Sequence, residues 1–402
     1  MRIDSTRILS NPGAAVGWIL LLLWTAWWAG NLLKGEMIFA EHTWFRLPAF
    51  GVDFVYHVDK PTRIWLAGGD PYDDKARMFS YSPIVLRLFS WVKLTTPGIS
   101  FKIWICLAGI FAAVGAIAAA RWRARLGLER VPASLAVALI LFSTPVLFGL
   151  ERANYDLLIV PCIVAAAILM QRKTETADVV AAFLLAVAIW AKLYPGLLLV
   201  AVLALRRWHL LAWLAAWCAL IGLSDVPELL RFNQNNNIAV ETAYSLARAS
   251  PEIHPWNHPL SAVWISLWNG TRLARVPGLV GAALVIVPLL AWVTWSVFRS
   301  AHREALALPF MFWVVAAGSY APPVSNDYNL APLPLAVLAA WSGRDGWKIG
   351  LAIAALALWW QPIGLPIPGW ITLLIKVAGL VAAAAILVRR ASEPRSVRST
   401  AL

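Results

Sequence analysis

The chain has 402 residues, 60% hydrophobic and 14% charged, and its 34 Lys and Arg against 21 Asp and Glu leave a net charge of +13. A soluble domain carries roughly 25% charged residues, so this composition, with a mean hydropathy of +0.69, excludes an ordinary soluble fold. The apolar stretches follow neither a Gly-X-Y nor a heptad period, which excludes fibrous and disordered chains.

An apolar run of about 20 residues crosses a bilayer as a helix. The first such run, 14–33, lies behind Arg2 and Arg7 and reads as a retained anchor, because many further spans follow. Spans are expected at 99–120, 131–150, 155–171, 177–191, 193–205, 208–224, 276–298, 305–320, 328–341, 348–361 and 370–388. Several fall short of about 17 residues, so broken, tilted or re-entrant helices are expected among them. Lys192 and Pro195 interrupt the apolar stretch 177–205; counted as two crossings, it puts both termini on one side.

Charge distribution orients this layout. The short loops on the side of the N-terminus, with the tail 389–402, hold 18 Lys and Arg against 7 Asp and Glu. Everything else holds 16 against 14. The positive-inside rule then predicts cytoplasmic termini. The basic excess is a topology signal, and nucleic acid drops out as a partner. Two long hydrophilic stretches, 34–98 and 225–275, fall outside, ending in the amphipathic pieces Pro83–Leu94 and Leu260–Leu273, read as interfacial helices. Residues 1–402 thus read as one all-α polytopic membrane unit with about ten to thirteen spans. Cys106, Cys162 and Cys218 sit in apolar segments and read as small hydrophobes. Without a Walker sequence or a GxGxxG, ATP-driven transport is not expected.

Polar residues collect in the outer loops. If 52–65 is helical, Asp53, Tyr56, His57 and Lys60 share one face at i, i+3, i+4 and i+7. Such a face can activate a hydroxyl and hold an anion; it is equally the pattern of a solvated amphipathic helix capped by its Asp. Gly68-Gly-Asp-Pro71-Tyr72 has turn chemistry. Glu151-Arg152-Ala-Asn154-Tyr155-Asp156 joins two spans with more charge than a turn requires. Lys192 and Tyr194 break an apolar stretch, and an ionisable group at membrane depth is a functional hypothesis by default. Snorkelling of Lys192 to the interface is the alternative. Asn257-His258, and Asn326, Asp327 and Tyr328 within Ser325–Asn329, are site candidates whose plainer reading is helix capping. The run Asn233–Asn237 reads as a loop or cap. His57, His254 and His258 lack metal-ligand spacing, so no metal is expected.

In this order the motifs resemble glycosyltransferase family 87, the polyprenyl-phosphate-mannose-dependent mannosyltransferases and their relatives. The matching pieces are Asp53-Phe-Val-Tyr56, Gly68-Gly-Asp-Pro71-Tyr72, Phe79-Ser-Tyr81-Ser-Pro83, Glu151-Arg152-Ala-Asn154, Lys192-Leu-Tyr194-Pro195, Asn257-His258 with Ser261, and Ser325-Asn326-Asp327-Tyr328. Two departures stand out: Ala153 replaces a glycine common in relatives, and Asn326-Asp327-Tyr328 replaces a late-loop histidine. The resemblance implies a GT-C helical bundle, an extracytoplasmic active site, a lipid-linked sugar donor and a catalytic Asp at position 53.

Expelling a phosphate needs no general acid, but the acceptor hydroxyl needs a base, here Asp53. Lys192, Arg152, His57 and Lys60 are the candidates for the leaving phosphate. Tyr56, Trp65, Tyr72, Tyr81, Asn154, Tyr194, Asn257, His258, Asn326, Asp327 and Tyr328 are the candidates for sugar and acceptor. The expected reaction is inverting transfer of a hexose, mannose first, from a polyprenyl phosphate to a glycan or glycolipid in a bacterial plasma membrane, without a cofactor. The alternatives are transfer of arabinofuranose or glucose, or a secondary transporter or lipid-carrier flippase, for which charges at the midplane and related halves are expected.

Overall fold

In a computed structural model, residues 11–34, 51–73, 79, 81–236, 260, 275–322, 327–342 and 369–393 are described. All regular elements among these residues are helical. They are α1 (Pro12–Lys34), α2 (Lys60–Leu66), α3 (Pro83–Leu88), α4 (Pro97–Trp122), α5 (Ala133–Leu141), α6 (Thr144–Glu151), α7 (Ile159–Leu169) and α8 (Glu175–Ala191). Then come α9 (Leu198–Ala204), α10 (Trp208–Leu223), α11 (Val226–Asn236), α12 (Arg275–Arg299), α13 (Arg303–Gly318), α14 (Pro332–Ala340) and α15 (Gly369–Ser392).

Among the described residues, four single helices are long and apolar enough to cross a membrane, and two bent pairs, α5–α6 at 64° and α10–α11 at 90°, pass the same test together. The protein is an all-α polytopic membrane protein. The predicted span 131–150 is thus a broken one: Phe142 ends α5, and Ser143 starts α6 with Pro145 in its first turn. α13 is buried from Leu306 to Gly318 and forms the central pillar. A helix buried all round needs no amphipathic stripe.

The segment 177–205 is a hairpin. Lys192 leaves α8 in extended backbone (φ −143°, ψ 122°), a 3-10 turn Tyr194–Leu197 reverses the chain, and α9 returns. Arg207, just past α9, pairs with Asp178 at the start of α8, so both arms finish at one end.

That end is the basic one. Arg123 donates to the Leu338 carbonyl at 2.7 Å, Lys173 pairs with Glu304 at 3.2 Å, Arg206 lies over the Phe298 ring, and Arg390 donates to the Ala340 carbonyl. α4, whose 26 residues span about 39 Å at 1.5 Å per residue, runs from the site described below to this basic end. Among the described residues, these basic groups gather at the end of the bundle opposite that site.

The asparagine run departs from its sequence pattern. Asn233–Asn236 continue α11 instead of forming a loop, because Asn235 turns its amide onto the Phe79 carbonyl. The predicted span 348–361 and all of Leu260–Leu273 beyond Leu260 lie outside the described residues.

Small residues set the helix contacts, as expected where apolar surface alone gives no preference for protein over lipid. At Gly17 a Cβ would lie 2.3 Å from the Leu135 nitrogen, and beside it the Ser134 hydroxyl donates to the Ala14 carbonyl. Gly17→Val is therefore expected to pry α1 from α5 and lower the melting temperature in detergent, by about 1–3 kcal/mol of overpacking. Gly109→Val, where a Cβ meets nothing within 4 Å, is the matched control and should melt like wild type.

Candidate active site

The site is built where the first long loop docks on the end of α6. Gly51, at φ +74°, starts a short helical segment; its N–H donates to the Glu151 carbonyl at 2.9 Å, and the Asp53 N–H donates to the Arg152 carbonyl at 3.2 Å. A side chain at 51 would meet the Phe101 ring at 3.0 Å and strain the backbone, which fixes glycine there. α6 ends with Ala153 at φ +51°, fully buried, and the Asn154 N–H returns to the Gly149 carbonyl at 2.7 Å. A left-handed residue at a helix end is ordinarily glycine, so the departure noted at Ala153 is an alanine accepting a glycine conformation.

This turn clamps a carboxylate. Asp53 is 4% exposed. Arg152 grips it with both arms of the guanidinium, Nε to Oδ2 at 2.9 Å and Nη2 to Oδ1. Asn154 Nδ2 adds a third donor to Oδ2 at 2.9 Å. An ionised carboxylate has about four acceptor positions, so one is left for a substrate hydroxyl. Asn154, 1% exposed, spends its carbonyl oxygen on the Asp156 N–H at 3.0 Å. It faces protein at both ends of its amide rather than offering them to a sugar.

A second carboxylate sits beside the first. Asp156, buried, pairs with Lys192 at 2.9 Å, accepts from the Tyr194 hydroxyl at 3.1 Å and receives the Asn329 amide. The Lys192 ammonium lies over Tyr81 at 4.6 Å and Tyr155 at 4.7 Å, a slot that suits a cation. Lys192 points into the bundle and does not snorkel. Asp156 and Asn329 stand outside the site candidates read from the sequence, although Asp156 closes the overcharged turn Glu151–Asp156 and Asn329 closes the run Ser325–Asn329.

The predicted face of Asp53, Tyr56, His57 and Lys60 is not a single face. Val55–Asp59 form a π-helical turn, which breaks the 3.6-residue register. Asp53 turns inward while Tyr56 is 43% exposed and Lys60 is exposed. His57 is half-buried, edge-on to the Tyr81 ring. The turn also buries Asp59, which Arg63 grips at 2.8 and 3.1 Å and the Ser100 hydroxyl reaches at 2.6 Å. That cluster ties the loop to the start of α4.

Aromatic residues floor the site. Tyr72 donates to the Tyr81 carbonyl at 3.0 Å and packs on Phe79, which is edge-on to Tyr81, itself edge-on to Tyr155. Burial, then Glu228, Asp225 and Asp70, push the Tyr72 phenol well above its ordinary value, so it remains a donor. Trp65 is half-buried against the core. Asn257, His258 and Asn326 lie outside the described residues, and Asp327 and Tyr328 are described only as backbone of the 3-10 turn Asp327–Leu330.

The arrangement offers one buried carboxylate on an arginine fork, a second carboxylate on a lysine, and tyrosine faces around them. Comparison with curated proteins and with solved structures returns no match. The model of Glycosyltransferase family 87 matches residues 79–317, more than half of the chain. The match covers Arg152, Asn154, Asp156 and Lys192; Asp53 and Asn329 lie outside it and are joined to it by the contacts above. The chain belongs to glycosyltransferase family 87 and is a membrane-embedded glycosyltransferase.

Proposed function

We propose that the protein is an inverting transferase that moves a hexose, mannose first, from a polyprenyl-phosphate donor to a glycan or glycolipid acceptor on the extracytoplasmic face of a bacterial plasma membrane. The observation that carries this reading is the Asp53 clamp, set at the end of the bundle away from the basic loops. The positive-inside rule makes the basic end cytoplasmic, so the clamp faces outward. We take the whole chain as one GT-C unit.

Asp53 Oδ1 accepts the proton of the acceptor hydroxyl as its oxygen attacks the anomeric carbon. The bond to the phosphate oxygen breaks in the same direct displacement, which inverts the carbon. The polyprenyl phosphate leaves as an anion and needs cationic donors rather than a general acid. Arg152 supplies that charge, with Lys192 held on Asp156 beside it, and the step is drawn without a metal. Tyr81 and the exposed Tyr56 are placed to meet sugar faces, and the apolar flank of the bundle takes the polyprenyl chain.

The test is transfer in proteoliposomes carrying the purified full chain, offered labelled mannose, glucose and arabinofuranose on polyprenyl phosphate in separate reactions. Mannose should transfer fastest. Faster transfer from another carrier corrects the sugar, and no transfer from any of them sinks the donor class.

A further inference from the structure

We infer that Arg152 and Asp53 form an exchangeable pair: an incoming donor phosphate takes the Arg152 fork, and Asn154 alone then holds Asp53 in place as the base. The inference rests on the donor class proposed above. A guanidinium fork fits a phosphate and a carboxylate with the same bidentate geometry. The Arg152 side chain is also the more accessible partner, 14% exposed against 5% for Asp53. The exchange gives Arg152 a new anion but leaves the buried Asp53 carboxylate with Asn154 alone, so phosphate binding must offset the cost of that uncompensated charge, which is also what draws a proton onto Asp53.

The other holding contacts stay. Asn154 is anchored at both ends, to Asp53 Oδ2 and to the Asp156 N–H, and the Asp53 N–H remains on the Arg152 carbonyl. Asp53 therefore keeps its place while losing two of its three side-chain donors. A carboxylate relieved of a bidentate cation is a better proton acceptor. Base strength then arrives with the donor, so the donor binds before the acceptor reacts. The Lys192–Asp156 pair is the fixed one, because two tyrosine rings and two further donors to Asp156 enclose it. Arg152, not Lys192, is thus the first cation the phosphate meets, and Asn154 is a positioning residue.

The experiment measures binding of a short-chain polyprenyl phosphate to the full-length protein in detergent as wild type, Asp53→Asn, Arg152→Gln and the double variant. Asp53→Asn should bind about three- to tenfold tighter, since Arg152 no longer has a carboxylate to leave, and the double variant should bind no tighter than Arg152→Gln. Unchanged or weaker binding by Asp53→Asn overturns the exchange. A gain of equal size in the Arg152→Gln background also overturns it, because that gain reports only the removed negative charge. A wild type that transfers sugar and shows no coupling defeats the exchange alone; one that neither binds the phosphate nor transfers defeats the donor class. For Asn154→Ala, kcat should fall about ten- to hundredfold with phosphate affinity within about twofold of wild type. Equal losses in both would make Asn154 merely structural.

Discussion

Asp53→Asn is expected to lower turnover about 10²–10⁴-fold, the usual contribution of a positioned general base, in a protein that still folds and inserts. The substitution is nearly isosteric. Its carbonyl oxygen can still accept from one of the two side chains that grip Asp53, while its amide meets the other as donor against donor. Arg152 loses its counterion but keeps some solvent contact, at 14% exposed. The expected stability loss is therefore modest, about 1–3 kcal/mol for the unmatched polar contact. Turnover is read as labelled sugar transferred in proteoliposomes, and folding as the melting temperature of the same preparation. Asp53→Ala is the contrasting variant: it removes the carboxylate that Arg152 and Asn154 both hold and should melt lower still. If Asp53→Asn turns over near the wild-type rate, Asp53 is a structural partner of Arg152 and the base lies elsewhere.

The clamp shows how far such a site can be read without coordinates. Each of its members stands in a conspicuous local context: Asp53 opening a loop helix, Arg152 and Asn154 in an overcharged turn, Lys192 breaking an apolar run. Composition and the Lys/Arg tally gave the helices and the basic end, because both are properties of short stretches. The pairing was not legible. Asp53 meets Arg152 across 99 positions, and Asn329 meets Asp156 across 173. No spacing rule reaches that far, so Lys192 and Arg152 looked like cations awaiting a phosphate when each already holds a carboxylate. The π turn at Val55–Asp59 was hidden for a different reason. Its residues have ordinary helical pattern, and the turn accompanies a contact 41 positions away, the Ser100 hydroxyl on the buried Asp59. The asparagine run reads as a loop or cap because asparagines compete with helix locally; the helix instead runs on to Asn236, and Asn235 meets the Phe79 carbonyl 156 positions away.

Asp156→Ala is the variant expected to destabilise the bundle most. It removes the acceptor of Lys192, Tyr194 and Asn329 at once. Lys192 then loses its paired carboxylate, and stranding one member of a buried pair costs about 3–5 kcal/mol. A drop of that size should appear as a clear fall in melting temperature and as loss of protein during purification. Adding Lys192→Met tests the cause. Methionine is flexible and makes favourable contacts with aromatic rings, so it can fill the space between Tyr81 and Tyr155 without a charge. The double variant should recover at least half of the lost stability, a coupling that independent sites do not show. Equal melting of Asp156→Ala and wild type would mean that the pair is not buried as described. The double variant also separates the two cations. If Arg152 meets the donor phosphate and Lys192 is the fixed pair, a folded Asp156→Ala/Lys192→Met protein keeps measurable transfer, within about tenfold of wild type. If Lys192 is itself the phosphate ligand, transfer falls as far as it does in Asp53→Asn, and the order of the two cations is reversed.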